Sequence, residues 1–284
     1  MNVGVSTCKA IHSILTKAPL RWVIKPPALG DRKDMARFAE WDLATAGTCL
    51  SWFAPYDRME DKSVLDVGCG WGGKSAFCSQ LGASFVQGID TDADRIEGAR
   101  QLAERKGIHN VHFDVGDAAH LPYASETFDV TMFLDSMEHV HDPGQSLAEA
   151  HRVLKPEGTV LIAFPPYGSP WGGHLFERIR IPWAQLLFSE RTLLNVWRQA
   201  DLDQEVQALK DASAPPQGLH ELLHLNKMSL HHFEEVLESS PFSLRLMRLK
   251  MLARSAPMDL SGKLTANRIL REHLVTRVTA VLQK

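Results

Sequence analysis

The sequence predicts an α/β protein: a doubly wound, mostly parallel, seven-stranded sheet carrying a helical cap. Three observations lead there. Residues 64–73, VLDVGCGWGG, read as an apolar strand, a tight glycine turn and a helix start. Strand-like and helix-like segments then alternate as far as residue 164, the pattern of a parallel sheet covered on both faces. Beyond it the alternation breaks. Residues 165–230 hold Pro165, Pro166, Pro170, Pro182, Pro215 and Pro216, with Gly168, Gly172 and Gly173. That composition marks an insertion rather than another strand–helix unit.

Each element has its own signal. Val64–Val67 is a short apolar strand, and a helix over Lys74–Leu81 stops at Gly82. A strand over Ser84–Ile89 ends at Asp90. The next helix starts near Asp92, aligns Ile96, Ala99, Leu102 and Ala103 on one face, and ends at Gly107. Val111–Val115 and Phe128–Leu134 are strands three and four. Pro143–Leu154 is helical, with Leu147, Ala150, Val153 and Leu154 at helical spacing. Thr159–Phe164 is strand five. Helical signal returns at Leu230–Glu238, and Phe242–Ala253 and Val275–Leu282 supply strands six and seven. The expected organisation is an N-terminal helical cap at 1–58, a core at 59–166, an insertion at 167–230 and a C-terminal part of the core at 231–284.

Composition narrows the function. A chain of 284 residues with 44% apolar and 23% charged side chains can bury a sizeable core. A net charge of −3 argues against bulk attraction to nucleic acid. No apolar run approaches the roughly 18 residues of a membrane span. Cys8, Cys49, Cys69 and Cys78 show no C-x-x-C spacing, so reduced thiols in a cytoplasmic protein are expected. Residues 1–30 contain Lys9, Lys17, Arg21 and Lys25 and no acid, a bias shared with transit peptides. Trp22, the rigid Pro26-Pro27 pair and the single arginine favour a basic, apolar cap instead. Trp22, Trp41 and Trp52 precede the glycine loop, and Trp171, Trp183 and Trp197 lie in the insertion. Such placement suits two added segments packing together as a lid, or ordinary packing of added helices.

The chemistry gathers around the glycine loop. Ligands of doubly wound sheets bind at the carboxyl ends of the strands, where strand order reverses. Gly68, Gly70 and Gly72 are expected to let backbone pass under a ligand without a Cβ clash. Gly68, Gly70 and Gly73 also satisfy G-x-G-x-x-G, so the glycines alone equally fit a nicotinamide dehydrogenase. Three further features separate the two: Asp66 two residues before the first glycine, Asp117 in VGDAAHLP, and FDVTMFLDSMEHVHDPGQSLAEAHRVLKPEGTVLIAFPP at 128–166.

With these features the chain resembles the class I S-adenosylmethionine (SAM) dependent methyltransferases, and 128–166 resembles their UbiE-like small-molecule branch. There E-H-V follows strand four and a helix ends in L-K-P-G-G. Here Glu157 replaces one glycine, a change expected to fall in a turn and to threaten nothing in the site. The resemblance implies a Rossmann-like fold, SAM as cofactor, and methyl transfer to a small, partly apolar metabolite. It implies that Asp66 fixes the amino-acid end of SAM. Asp90 takes the ribose hydroxyls, as in dinucleotide folds. Asp117 and the backbone of Ala118 meet the adenine, with His120 and Leu121 along that edge. Gly68, Cys69, Gly70, Gly72, Thr91 and Leu134 complete the expected cofactor set. No metal is implied, and the partners are a small molecule and no nucleic acid, with a homodimer left open.

Methyl transfer is an in-line displacement that needs alignment and dryness above all, and a base only where the acceptor holds its proton. His139 follows strand four, and its ordinary pKa suits proton transfer, or it packs beside the cofactor. Glu138 reads as a helix-start hydrogen-bonding residue. Asp135 faces the methionine end or the acceptor. Tyr167 and His174, in FPPYGSPWGGHL, are the remaining catalytic candidates, and the alternative for His174 is a loop residue bonded to a carbonyl. Two other readings are weighed. His220-Glu221-Leu222-Leu223-His224 matches H-E-x-x-H of zinc proteases, with His231 and His232 as extra ligands. It follows a Pro-rich insertion without the protease extension, so a helix presenting histidines to a pocket or to solvent is preferred. The other is a SAM-binding partner protein that has lost catalysis. The acceptor atom, carbon, oxygen, nitrogen or sulfur, is not legible.

Overall fold

The computed structural model describes residues 3–17, 35–175, 179–199, 223–252 and 267–284. Their strands are β1 (Ser63–Val67), β2 (Phe85–Asp90), β3 (Val111–Val115), β4 (Phe128–Leu134), β5 (Leu154–Phe164), β6 (Ser243–Met251) and β7 (Val275–Gln283). They form one sheet in the order β3-β2-β1-β4-β5-β7-β6. The described helices, numbered along the chain, are α1 (Val3–Lys17), α2 (Met35–Leu50), α3 (Gly73–Gln80), α4 (Ala93–Arg105) and α5 (Pro143–Val153). They continue with α6 (Ala184–Leu187), α7 (Glu190–Gln199), α8 (Leu230–Ser239) and α9 (Arg268–Leu274).

β1 runs parallel to both β2 and β4, so strand order reverses there and a crevice opens at the carboxyl ends of these strands. β1 and β4 are buried almost throughout because helices cover both faces, whereas edge strand β3 alternates buried and exposed residues. β7 returns antiparallel to β5, with Ile162 opposite Ala280. Asp92 caps α4 by accepting from Asp94 N–H and Arg95 N–H, and Asp142 caps α5 through Gln145 N–H. Gly82 and Gly107 end α3 and α4 with positive φ.

The expected sheet is present, with one local correction. Leu154 is not the end of helix five. It pairs with Phe128 and begins β5, which runs through the LKPEG segment. Glu157, standing where the resembling branch has glycine, takes φ 63°. This is the left-handed region, costing a side-chain-bearing residue about 1 kcal/mol. Its Oε2 accepts from Gln283 Nε2 at 2.6 Å, which offsets part of that cost.

The chain divides into two compact units. The first comprises 28–164, 232–249 and 278–284. Its core joins Val64, Val86, Met132, Leu161 and Val281 from five strands with Phe53 and Cys49. Helix α2, which the sequence placed in a cap over 1–58, packs on α3 and α4 of this unit. Phe233 of α8 meets Phe164 of β5 edge-on, ring centres 4.9 Å apart.

The second unit comprises 1–27, 165–231 and 250–277. Val5 and Cys8 of α1 join Leu175, Ile179, Ile181, Leu193, Leu194 and Trp197 in one apolar cluster. The basic N-terminal segment thus supplies a packed helix. Gln185 Nε2 donates to the carbonyls of Tyr167 and Ser169 at 2.8 and 2.7 Å, tying down the glycine-rich turn. Trp183 Nε1 donates to His273 O at 3.0 Å. The tryptophans expected to pack together belong to different units: Trp41 and Trp52 to the first, Trp171, Trp183 and Trp197 to the second. Trp22 and Pro26-Pro27 lie outside the described residues, as do His220 and Glu221. Among the described residues no helix is long and apolar enough to cross a membrane.

Candidate cofactor site

β1 delivers Asp66 and then turns through Gly68–Gly73 into α3. The turn is pinned to β2: Gly68 N–H and Cys69 N–H both donate to Ile89 O, at 2.8 and 3.1 Å. Asp90 finishes the pinning, its Oδ2 accepting Gly70 N–H at 2.9 Å and its Oδ1 accepting Asp92 N–H at 3.0 Å. A carboxylate offers about four acceptor positions, so two remain for ligand hydroxyls.

The glycines differ in what a side chain would meet. A Cβ at Gly68 would stand 2.4 Å from Ser136 Cβ. One at Gly72 would meet Ala99 and Phe113 at 2.7 and 2.8 Å, and one at Gly73 the α2 backbone at Leu43 N, 2.5 Å. These three make room for the protein's own packing. Gly70, at φ +53°, has nothing within 4 Å of its added Cβ. It is the open position of the turn, and its N–H is bonded to Asp90.

Asp66 is 2% exposed, and its Oδ2 accepts the Ser75 hydroxyl at 2.6 Å. Burial pushes its carboxyl up to about 6, while the Ser75 hydroxyl and the Lys74 ammonium pull the other way. Burial likewise pushes the Cys69 thiol well up, helped by Asp66 and Asp90, so Cys69 is no thiolate nucleophile. The loop after β4 closes the floor. Asp135 takes φ 58° and is exposed, and Ser136 Oγ donates to Val67 O at 2.7 Å. Leu134 is buried at the end of β4, and Thr91 is exposed after β2. After β3, Asp117 Oδ1 accepts Ala119 N–H at 3.0 Å, folding that loop around Ala118, with Leu121 buried behind it. His120 Nδ1 lies 3.8 Å from Asp117 Oδ2.

The catalytic candidates divide between the units. His139 is exposed in the first, its N–H donating to Ser136 O at 2.9 Å, and neighbouring Glu138 is buried. Tyr167 and His174 belong to the second. Tyr167 N–H donates to Met228 O at 2.7 Å, and burial, then Glu190, raises its phenol above the ordinary range. His174, at φ 53°, closes the Trp171–His174 turn through its N–H to Trp171 O at 3.1 Å. The His231 ring nitrogens sit 2.6 and 2.8 Å from the Arg268 guanidinium.

Sequence reading missed Asp42, Lys74, Ser75 and Ser136. Lys74 Nζ lies 2.9 Å from Asp42 Oδ1 of α2, and Asp42 is 6% exposed. An acid in an amphipathic helix carries no sequence mark of burial, so nothing in the chain announced it.

Comparison with known proteins agrees with this geometry. Residues 59–181 match the model of the methyltransferase domain family. Methyltransferase GfsG of Streptomyces halstedii is 38% identical over 112 residues, 38% of this chain and 40% of that protein. The ubiquinone biosynthesis O-methyltransferase of Neisseria meningitidis serogroup C is 33% identical over 115 residues, 40% of this chain and 48% of its own length. The chain therefore spans less than half of these relatives. A solved geranyl diphosphate methyltransferase in complex with SAM shares the fold, with TM-score 0.55, 16% identity, 92% of this chain and 95% of that one. Over residues 59–181, less than half of its length, the chain is similar to the methyltransferase domain family.

Proposed function

We propose that this chain transfers the methyl group of SAM to a small, partly apolar metabolite. The carrying observation is the cradle at the strand-order reversal, with Asp66 buried below it, Gly70 open at its centre and Asp90 with acceptor positions left over. SAM, when bound, supplies a methyl carbon activated by its sulfonium. The chain's own residues bind, orient and dry the site. Asp66 accepts from the ammonium of the amino-acid end, Asp90 from the ribose hydroxyls, and Asp117 with Ala118 meets the adenine.

His139 of the first unit and, separately, Tyr167 and His174 of the second are the candidate polar contacts for the acceptor. The raised Tyr167 phenol stays protonated at neutral pH, so it serves as a hydrogen-bond donor rather than a base. Similarity to a ubiquinone biosynthesis O-methyltransferase and to a probable tocopherol O-methyltransferase supports a partly apolar acceptor. Four free, buried cysteines support a cytoplasmic site of action. The test is incubation with methyl-labelled SAM and a metabolite extract, read by mass spectrometry. A labelled product that disappears in Asp90→Ala is expected. SAM binding without any labelled product would instead favour a non-catalytic SAM-binding partner.

A further inference from the structure

Three side chains of α5 serve one loop. Gln145, Glu149 and Arg152 stand four and three residues apart, the spacing that puts residues on one helix face. All three bond to the backbone of the loop that follows β3, within the first unit. Glu149 Oε2 accepts the Leu121 N–H at 2.8 Å. Arg152 donates through Nη2 to Leu121 O at 2.9 Å and through Nη1 to Tyr123 O at 2.7 Å. Its Nε and Nη2 also hold the two Glu149 oxygens, each at 2.8 Å. Gln145 Nε2 makes a longer reach, 3.4 Å, to Ala119 O. The Glu149 side chain is 15% exposed, so little water competes for these bonds. The bonds from Arg152 hold the Glu149 carboxyl below its ordinary range.

The loop is also fixed at its start, where Gly116 N–H donates to Asp90 O at 3.0 Å. Asp117 and Ala118 lie between these anchors. Asp117 accepts Ala119 N–H on its carboxylate and His120 N–H on its carbonyl, both at 3.0 Å. The Ala118 N–H takes part in none of these bonds. We propose that Glu149 and Arg152 are positioning residues for the adenine of the cofactor: by holding residues 119–123 they keep the Asp117 carboxylate and the Ala118 N–H in one arrangement, and so set the preference for that base. The proposal deepens, and rests on, the reading of Asp117 and Ala118 as the adenine contacts. Adenine offers a donor amine beside an acceptor nitrogen, which suits a carboxylate beside an N–H. Hypoxanthine presents the reverse, an acceptor carbonyl beside a donor N–H, so a rigid pair leaves its own groups unpaired. A loop ordered in advance loses less entropy on binding and cannot turn to suit the wrong base.

The experiment is calorimetric titration of the full chain with S-adenosylhomocysteine and with S-inosylhomocysteine, which carries hypoxanthine in place of adenine. Wild type is expected to prefer the adenine compound by about thirtyfold or more, the cost of two mismatched hydrogen bonds. Arg152→Met frees Leu121 O and Tyr123 O and is expected to cut that preference to about threefold, chiefly by weakening the adenine compound. Arg152→Lys keeps the charge, but an ammonium does not replace the planar fork that spans two carbonyls and a carboxylate. Its preference is expected to fall between the two, and it carries the same readout if Arg152→Met does not fold. A merely structural role would lower both affinities by the same factor. A preference that stays at the wild-type value in Arg152→Met, or in Arg152→Lys where that variant alone folds, overturns the proposal alone. Equal binding of the two compounds by wild type overturns the adenine contacts, and this proposal with them. No binding of S-adenosylhomocysteine by wild type overturns the cofactor reading as a whole.

Discussion

Asp90 Oδ2 accepts the backbone N–H of Gly70 across 2.9 Å, although the two stand 20 residues apart. The end of β2 thus holds the loop that follows β1, and one carboxylate shapes the turn. Asp90→Ala leaves two N–H groups without their acceptor, at about 1–3 kcal/mol each if they stay dry. Cofactor affinity is expected to fall at least tenfold by calorimetry. Unchanged affinity would show the cofactor map to be misplaced.

Gly70 and Gly72 respond differently to the same methyl group. Gly70→Ala meets open space, so its cost is the left-handed backbone, about 1 kcal/mol, and cofactor affinity suffers more than stability. Gly72→Ala drives a Cβ to 2.7 Å from Ala99 and 2.8 Å from Phe113 and is expected to lower the melting temperature sharply. Thermal melts and ligand titrations of the two variants separate the roles.

Asp66 carries a stability cost. Its folded carboxyl, at about 6, lies above the unfolded value near 3.9, so its contribution is fully present below about pH 4 and is lost as pH rises through 6. Asp66→Asn is expected to gain about 1–3 kcal/mol at pH 7, to keep that advantage up to pH 8 and to lose it at pH 4. The same variant is expected to lose cofactor binding. Denaturant unfolding at pH 4 and pH 7 reads the first effect, and calorimetry the second.

Asp129 works in the opposite sense. Burial opposes its ionisation, but the Ser63 hydroxyl and N–H at 2.6 and 2.9 Å and Lys155 Nζ at 2.9 Å hold its carboxyl down at about 2. This stabilisation is present above the unfolded value near 3.9 and is lost as pH falls through 2. Asp129→Asn is expected to cost about 1–2 kcal/mol at pH 7 and to flatten the acid limb between pH 4 and pH 2 in urea unfolding.

A buried apolar position gives a check on the second unit. Leu193 is 1% exposed, in the cluster that holds Val5 and Cys8 of α1. Leu193→Ala is expected to cost about 2–5 kcal/mol. Faster limited proteolysis of α1 would report the loosened cluster, and an unchanged digestion pattern would argue against α1 packing there.

Much of the fold was legible because it is written in local signals. Strands β1 to β5 announce themselves as apolar runs, and Asp92, Gly82 and Gly107 punctuate the helices as capping chemistry requires. Asp90 stood out as an acid ending an apolar strand, and Asp66 and Asp117 through their places in the motifs that carry the family resemblance. The positive φ of Glu157 was not legible, because it is a property of the backbone path that the residue type conceals. The cap at 1–58 failed to anticipate α2 because an amphipathic helix shows that it has a partner, not which one.

By itself, then, the chain determined the order of strands and helices, the glycine turn and the carboxylates at the strand ends, since these depend on periodicity and on neighbours within a few residues. Tertiary structure alone decided that α2 packs on α3, that Gly70 and not Gly68 or Gly72 is the open position, and that Asp42 reaches Lys74 across 32 residues. The physical reason is that burial and charge pairing are relations between distant segments. An aspartate in a helix reads the same in sequence whether it faces water or, like Asp42, pairs with a lysine of another helix.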